Sequence, residues 1–119
     1  MSIKSRTISD GKIAIIEIKG SLIGDEETDL FREHITDFIE QGNKSLIINL
    51  EKLNYMNSSG IGAIITAHSS YKKNGGEIKL VGLSQNIQNL FAVTRLVEIF
   101  DVHENMNEAI ASYATANSK

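Results

Sequence analysis

The chain contains no cysteine and no proline among its 119 residues. Without cysteine it can form neither a disulfide nor a thiolate metal site, which fits a reducing compartment. Without proline, the turns have to be marked by glycine, asparagine and aspartate. The apolar and charged fractions, 41% and 23%, are those of an ordinary globular protein. We therefore expect one domain over residues 1–119, with residues 115–119 as a frayed tail.

A strong charge of one sign and long apolar runs are also missing. The formal net charge of -3 provides no basic excess that would attract nucleic acid or an anionic membrane. The first residues, MSIKSRTISDGK, lack the apolar core of a signal peptide, and no apolar run has membrane-spanning length. These absences predict a cytoplasmic protein that binds neither nucleic acid nor membrane.

Patterns typical of catalysis are missing too. A nucleophilic serine needs a base and an orienting group, yet the three histidines, His34, His68 and His103, fall on different predicted helices. They form no metal-ligand pair, and the chain has no phosphate-binding loop of the G-x-x-x-x-G-K-[ST] type. We therefore expect that the protein is not an enzyme and that it has neither a cofactor nor a metal site. A nucleotide-binding or hydrolytic protein is the alternative, and binding of labelled ATP or GTP would indicate it.

Apolar patterning predicts an α/β fold. The runs KIAIIEIKG and SLIINL read as buried strands, whereas DEETDLFREHITDFIEQGN carries its apolar residues at helical spacing. The predicted order is β-β-α-β-α-β-α-(β)-α, in which the bracketed strand is VEIF, residues 97–100. Alternating strands and helices predict a mixed, mainly parallel sheet of four to five strands with about four helices.

The segment LNYMNSSGIGAIITAHSSYKK, residues 53–73, combines a polar turn with an apolar helix. Asn57 is suited to cap that helix, which places Ser58 and Ser59 in its first turn beside free backbone N–H groups. A phosphate there would be tolerated and would add negative charge to a neutral surface. Gly60 and Gly62 would leave the turn bare for an approaching protein. The alternative is a capped helix whose small residues serve packing alone.

A family resemblance bears on this choice. YMNSSGIGAII resembles the D-S-[ST]-G-[LI]-G signature of the STAS-domain anti-sigma factor antagonists. YKKNGGEIKLVGLSQNIQNLFAVTRLVEIFDV is similar to the next strand and helix of that family, including the N-G-G turn and the L-F pair. The resemblance covers nearly the whole chain and implies a single STAS domain.

The resemblance also implies a mechanism. The unphosphorylated protein would bind an anti-sigma factor, a serine kinase of the histidine-kinase-like ATPase fold, and so release a sigma factor. The kinase would phosphorylate the first serine of the signature, and a PPM-type phosphatase would reverse the reaction. That serine is Ser58 here, and Ser59 is the alternative acceptor. The sequence leaves the oligomeric state open between a monomer and a weak dimer.

The sequence departs from the family pattern at two places. Asn57 replaces the aspartate of the signature, and GSLIGD replaces the usual G-E-[LI]-D, so that Ser21 and Ile23 stand where the family has acids. Asn57 keeps the cap but lacks a charge and an acceptor that would orient the serine. Asp25 is a candidate substitute for one missing acid.

The segment from Asn57 to Gly60 is called the serine turn. The loop at Ile23 should flank this turn at the same edge of the sheet. Ile23 and Gly24 either tuck into the core or form an exposed apolar contact, and Leu83 and Ser84 reach the same edge. The predicted partner-binding residues are Ser21, Ile23, Gly24, Asp25, Asn57, Ser58, Ser59, Gly60, Gly62, Leu83 and Ser84.

A second functional hypothesis comes from the same departures. Asn57 and Ile23 favour a STAS scaffolding or regulatory subunit of a larger assembly that binds its partner without phosphorylation. Ser58, Ser59 and the remainder of the signature favour the switched antagonist.

Overall fold

The computed structural model describes residues 2–117, apart from the side chains of residue 25 and residues 115–117. Six strands and four helices follow one another along this part of the chain. They are β1 (Ser2–Ile8), β2 (Ile13–Leu22), α1 (Asp25–Glu40), β3 (Ser45–Asn49), β4 (Leu53–Met56), α2 (Ser58–Lys73), β5 (Glu77–Val81), α3 (Gln85–Val93), β6 (Asp101–His103) and α4 (Met106–Asn117). A 3-10 turn over Leu96–Glu98 connects α3 to β6.

The strands form one mixed sheet in the order β1-β2-β3-β5-β6. Only the β1–β2 pair is antiparallel; β2, β3, β5 and β6 run parallel. The long strand β2 has two successive parallel partners, because Ile13–Glu17 pair with β3 and Gly20–Leu22 pair with β4. The register shifts at Gly20, whose φ of 99° lies in the left-handed region that glycine tolerates. This irregularity lets β4, which leads into the serine turn, pair beyond the end of β3.

Helices cover both faces of the sheet. The main core lies between the sheet and α1, α2 and α3, where Phe31, Ile64 and Phe91 are buried against the even-numbered residues of β2. A smaller core lies under α4 and contains Ala109 and Tyr113. The strand β3 therefore buries apolar residues on both faces, as central parallel strands do, whereas β5 carries the buried Lys79 on the face under α4.

An ionic cluster lies beneath α4. The Lys79 side chain is almost fully buried, and its Nζ lies 2.5 Å from Asp101 Oδ2, 3.1 Å from Glu77 Oε2 and 4.7 Å from the centre of the Tyr113 ring. Burial alone would lower the pKa of Lys79, but hydrogen bonds to Asp101 and Glu77 outweigh it and raise this pKa. The lysine is thus a paired cation that fixes β6 to β5.

The observed architecture confirms the predicted α/β fold and its mixed, mainly parallel sheet. The sheet has six strands, one more than the upper limit predicted, because β4 was not expected. Two exposed residues interrupt the apolar pattern of β4. The short strand predicted at residues 97–100 lies instead at Asp101–His103, after the 3-10 turn. His103, predicted on a helix and exposed to solvent, is in β6, and only 18% of its side chain is exposed.

Helix α4 extends to Asn117, and residues 118 and 119 of the predicted frayed tail lie outside the described residues. Among the described helices, none is both long and apolar enough to cross a membrane.

Candidate functional site

The serine turn lies where β4 passes directly into α2. Asn57 is the only residue between these elements, and it is extended, with φ -102° and ψ -169°. Its side-chain Oδ1 accepts a hydrogen bond of 3.2 Å from the Gly60 backbone N–H. The predicted N-cap is therefore present, and it satisfies one of the free N–H groups at the start of the helix.

Ser58 and Ser59 are the first two residues of α2, and both are exposed. The first turn of α2 contains no acidic residue, so the positive end of the helix dipole meets no carboxylate of that turn. Both hydroxyls are accessible, and a phosphate on either would lie near the positive end of the dipole.

The loop after β2 is hydrogen-bonded to the serine turn. Asn57 Nδ2 donates to the carbonyl oxygen of Ile23 at 2.9 Å, and the Asn57 backbone N–H donates to the carbonyl oxygen of Leu22 at 3.4 Å. Ser21, half-buried, pairs with Tyr55, and Leu22 pairs with Met56. The two loops that the sequence placed at one edge of the sheet are therefore in direct contact.

The side chain of Ile23 is 45% exposed, so it forms part of the surface and does not fill the core. Tyr55, which the sequence analysis did not single out, is 53% exposed in the strand beside it. No periodic signal could have identified Tyr55, because the register shift at Gly20 interrupts alternation along β4. Ile23, in the loop after β2, and Tyr55, in β4, thus provide exposed apolar surface on the two segments that meet at the serine turn.

Gly24 is the N-cap of α1, and its backbone is extended. A side chain at Gly24 would collide with the carboxylate of Glu27, which folds back over the loop. The Oε2 atom of Glu27 is buried and has no hydrogen-bond partner. The structure thus places the Glu27 carboxylate against this loop, a contact that the sequence analysis missed. Asp25 begins α1, but its side chain lies outside the described atoms.

The two glycines of the signature differ in their surroundings. Gly60 is buried, and a Cβ there would overlap the carbonyl oxygen of Leu22 and lie 3.0 Å from Cβ of Met56. Its role is close packing of α2 onto β2 and β4, so the prediction that it keeps the surface bare is wrong. A Cβ on Gly62 would meet nothing within 4 Å, which agrees with an uncovered helix face.

Leu83 and Ser84 follow β5 and reach the carboxyl edge of the sheet. The Ser84 hydroxyl oxygen accepts a hydrogen bond of 3.3 Å from the Ile87 backbone N–H and caps α3. Leu83 is half-buried against the main core. Helix α3 packs against β4, so these residues belong to the same end of the molecule as the serine turn.

The site offers exposed hydroxyls, exposed apolar side chains and a helix N-terminus. Among the described residues, no group of three or more His, Asp or Glu side chains could hold a metal ion. Such an arrangement can contact another protein and can accept a phosphoryl group from it.

Comparisons with known proteins identify the family. The STAS domain family matches residues 5–109 of this chain. The chain belongs to the STAS family. An anti-sigma-B factor antagonist of Staphylococcus aureus is 27% identical over 104 residues, which cover 87% of this STAS domain and 95% of the relative. An anti-sigma-B factor antagonist of Bacillus subtilis is 37% identical over 73 residues, 61% and 66% of the two chains.

A solved structure shares the fold of this STAS domain. The Bacillus cell fate determinant SpoIIAA in its phosphorylated form superposes with a TM-score of 0.75 at 22% identity. The alignment covers 94% of this chain and 99% of that one.

Proposed function

We propose that this STAS domain is an anti-sigma factor antagonist whose partner binding is switched off by phosphorylation of Ser58. The observation that carries the proposal is the exposed Ser58 at the capped start of α2, next to Asn57, which bonds to the loop of the exposed Ile23. The names of the Staphylococcus and Bacillus relatives support the antagonist function. Ser59, one residue further and also exposed, is the alternative acceptor.

The neutral turn would bind through shape and apolar contact. Ile23, Gly24 and Gly62 are small or apolar residues of the neighbouring loop and of α2, and the first turn of α2 contains no acidic residue. A partner that fits this surface removes water from it. A phosphate on Ser58 would add roughly -1.5 to -2 charges to the same surface. Binding would then require desolvation of that charge, which costs several kcal/mol unless a cation on the partner pairs with it.

The phosphate itself would disturb the fold little. It would lie at the N-terminus of α2, where free backbone N–H groups and the helix dipole favour negative charge. The switch therefore acts on the interface and leaves the core as it is.

The proposed partners are proteins. They are an anti-sigma factor that is a serine kinase of the histidine-kinase-like ATPase fold, and a PPM-type phosphatase that restores the free hydroxyl. The kinase would supply ATP and the catalytic base, and this domain supplies only the acceptor. We place these events in the cytoplasm.

Intact-mass analysis of the protein isolated from its own organism tests the proposal, with and without phosphatase treatment. We expect a fraction heavier by one phosphoryl group, which peptide mapping assigns to Ser58 and which phosphatase removes. The matched variants Ser58→Ala and Ser59→Ala separate the two acceptors: only the first should abolish the heavier species. An unmodified pool under every growth condition would refute the switch.

A second candidate function is a phosphorylation-independent regulatory subunit of a larger assembly. The bond between Asn57 and Ile23 favours it, since this bond fixes an exposed apolar loop without any phosphate. In that case an assembly partner would copurify with wild type and with Ser58→Asp in equal amounts.

A further inference from the structure

The sheet has two open lateral edges, β1 on one side and β6 on the other. An open edge presents unpaired backbone N–H and C=O groups that another strand can bind. The two edges differ in the side chains that would meet if each paired with a second copy of this chain. That difference identifies an interaction surface on β6, a strand that does not carry the serine turn.

The hydrogen bonds between β5 and β6 determine which backbone N–H and C=O groups of β6 face the open edge. The Gly82 backbone N–H donates to the His103 carbonyl oxygen at 3.0 Å, so the backbone groups of His103 face inward. Alternate residues of a strand direct their backbone groups to opposite sides, so the groups of Asp101 also face inward. The N–H and C=O of Val102 therefore face the open edge.

The side chains of β6 read Asp-Val-His, residues 101–103. In an antiparallel pair centred on Val102, the two Val102 residues exchange both backbone hydrogen bonds. Asp101 then lies directly opposite His103 of the second copy, at a closely spaced position of the ladder. Within one chain, Asp101 contacts both Lys79 and His103 through Oδ2. The other carboxylate oxygen, Oδ1, is the group that would accept from the second copy.

Apolar surface surrounds this edge. Among the residues whose side chains the structure describes, eight large apolar ones are exposed, and four of these lie between residues 93 and 102: Val93, Val97, Ile99 and Val102. Val97 and Val102, which are 50% and 38% exposed, line one groove together with Phe100. A second β6 strand would place its own Val102 beside this groove and cover it.

The opposite edge would bring two basic side chains together. β1 reads Ser-Ile-Lys-Ser-Arg-Thr-Ile, and its middle residues are exposed. Antiparallel pairing centred on Ser5 would place Lys4 opposite Arg6 of the second copy. Like charges opposite one another are destabilising, and basic side chains are a common protection of edge strands. Self-pairing is thus disfavoured at β1 and favoured at β6.

We propose that this chain forms a symmetric dimer through antiparallel pairing of β6 with β6 of a second copy, centred on Val102. Three residues and one apolar groove make a small interface, so the dimer belongs to the weak and reversible class. The serine turn follows β4, which pairs with β2 and not with β6, so the turn is not part of the paired edge.

Cysteine cross-linking tests the pairing, because the chain has no cysteine of its own. At a hydrogen-bonded antiparallel pair the two Cα atoms lie about 5.5 Å apart, a separation that a disulfide accepts. In oxidised glutathione, Val102→Cys should form a covalent dimer about tenfold faster than Ser5→Cys, its matched control at the centre of the other edge. Equal rates for the two variants would overturn the proposal.

Sedimentation of the wild-type chain provides a readout without cysteine. We expect a monomer–dimer equilibrium that Val102→Lys shifts fully to monomer, with an unchanged circular dichroism spectrum. A wild-type chain that stays monomeric up to millimolar concentration would also overturn the proposal. If Val102→Lys fails to fold, the cross-linking comparison decides. Neither result depends on phosphorylation of Ser58.

Discussion

Asn57 donates a hydrogen bond of 2.9 Å from its side-chain nitrogen to the carbonyl oxygen of Ile23. The same side chain caps α2 through its oxygen, so one amide joins the loop after β2 to the serine turn. An aspartate at this position, as in the family signature, could accept from Gly60 but could not donate to Ile23. The substitution in this chain therefore exchanges a charge for a link between two loops.

Asn57→Asp is expected to have opposite effects on stability and on phosphorylation. Asparagine and aspartate cap helices equally well, so the lost bond to Ile23 should cost about 1 kcal/mol of unfolding free energy. The new carboxylate should raise the rate of Ser58 phosphorylation by supplying an acceptor that orients the hydroxyl. Urea denaturation and a kinase assay measure the two effects.

The control is Asn57→Ala, which removes both the helix cap and the bond to Ile23 and should lower stability further. An unchanged phosphorylation rate in Asn57→Asp would show that the missing carboxylate is irrelevant here.

Gly60→Ala and Gly62→Ala should change stability in opposite directions. The new Cβ at residue 60 would overlap the carbonyl oxygen of Leu22, and relief requires a backbone shift. Overpacking of this kind costs about 1–3 kcal/mol. At residue 62 the new Cβ would meet nothing within 4 Å, and alanine is the better helix former by about 0.5–1 kcal/mol. Urea denaturation of the two variants side by side makes the comparison. Equal destabilisation of both would contradict the packing role assigned to Gly60.

Ser58→Asp should weaken binding of the anti-sigma factor, and Ser58→Ala should preserve it. The aspartate adds one charge to a surface that the partner desolvates, whereas alanine keeps the surface neutral. Calorimetric titration of the partner kinase with each variant measures the affinity, and a loss of tenfold or more is expected for Ser58→Asp, equivalent to about 1.4 kcal/mol. Ser59→Asp serves as the positional control. Wild-type affinity in Ser58→Asp would remove Ser58 as the switch.

Stability should fall in mildly acidic solution because of His68. Its ring packs edge-on against Phe100 with centroids 5.0 Å apart, and its Nδ1 is buried without a hydrogen-bond partner. Burial and the nearby Lys72 lower the pKa of His68 below 6.5, although Glu77 acts in the opposite direction. The unfolded chain therefore binds the proton more readily than the folded one. The stability of the neutral form is complete above pH 6.5 and declines as the pH falls through that value.

His68→Leu tests this linkage. Unfolding free energies of wild type and variant, measured over a pH series, should differ by an amount that changes below the ordinary histidine pKa of about 6.5. The variant should lose less stability than wild type on acidification, since it has no ring to protonate. Parallel curves across that range would show that His68 does not contribute.

The sequence predicted the fold well where burial is continuous. Apolar runs such as SLIINL identify a central strand, and their order with the amphipathic helices determines a mostly parallel sheet. β4 escaped prediction because Asn54 and Tyr55 are exposed, so its pattern of buried residues is neither alternating nor continuous. The shift of β6 to residue 101 depends on the 3-10 turn and on the pairing of Asp101 with Lys79, which are tertiary features.

The site was predictable in its location and less so in its contacts. The cap formed by Asn57 follows from local rules, and the meeting of two loops follows from the parallel topology. The exposure of Ile23 could not be predicted from the sequence, because an apolar side chain at a strand end can face either the core or the solvent. The burial of Gly60 and the position of Glu27 depend on the distance between α2 and β2 and on a side-chain rotamer, which periodicity does not report.

The division of β2 between two partners has a geometric consequence for the serine turn. Asn49 at the end of β3 pairs with Glu17, and Met56 at the end of β4 pairs with Leu22, five residues further along β2. At the usual rise of a strand, the turn therefore projects roughly 15 Å past the level at which β3 and β5 end. A projecting acceptor can enter a recessed cleft while the rest of the sheet edge stays outside. The reach of this extension, as much as the identity of its residues, would set how deep the active site of the proposed kinase can be.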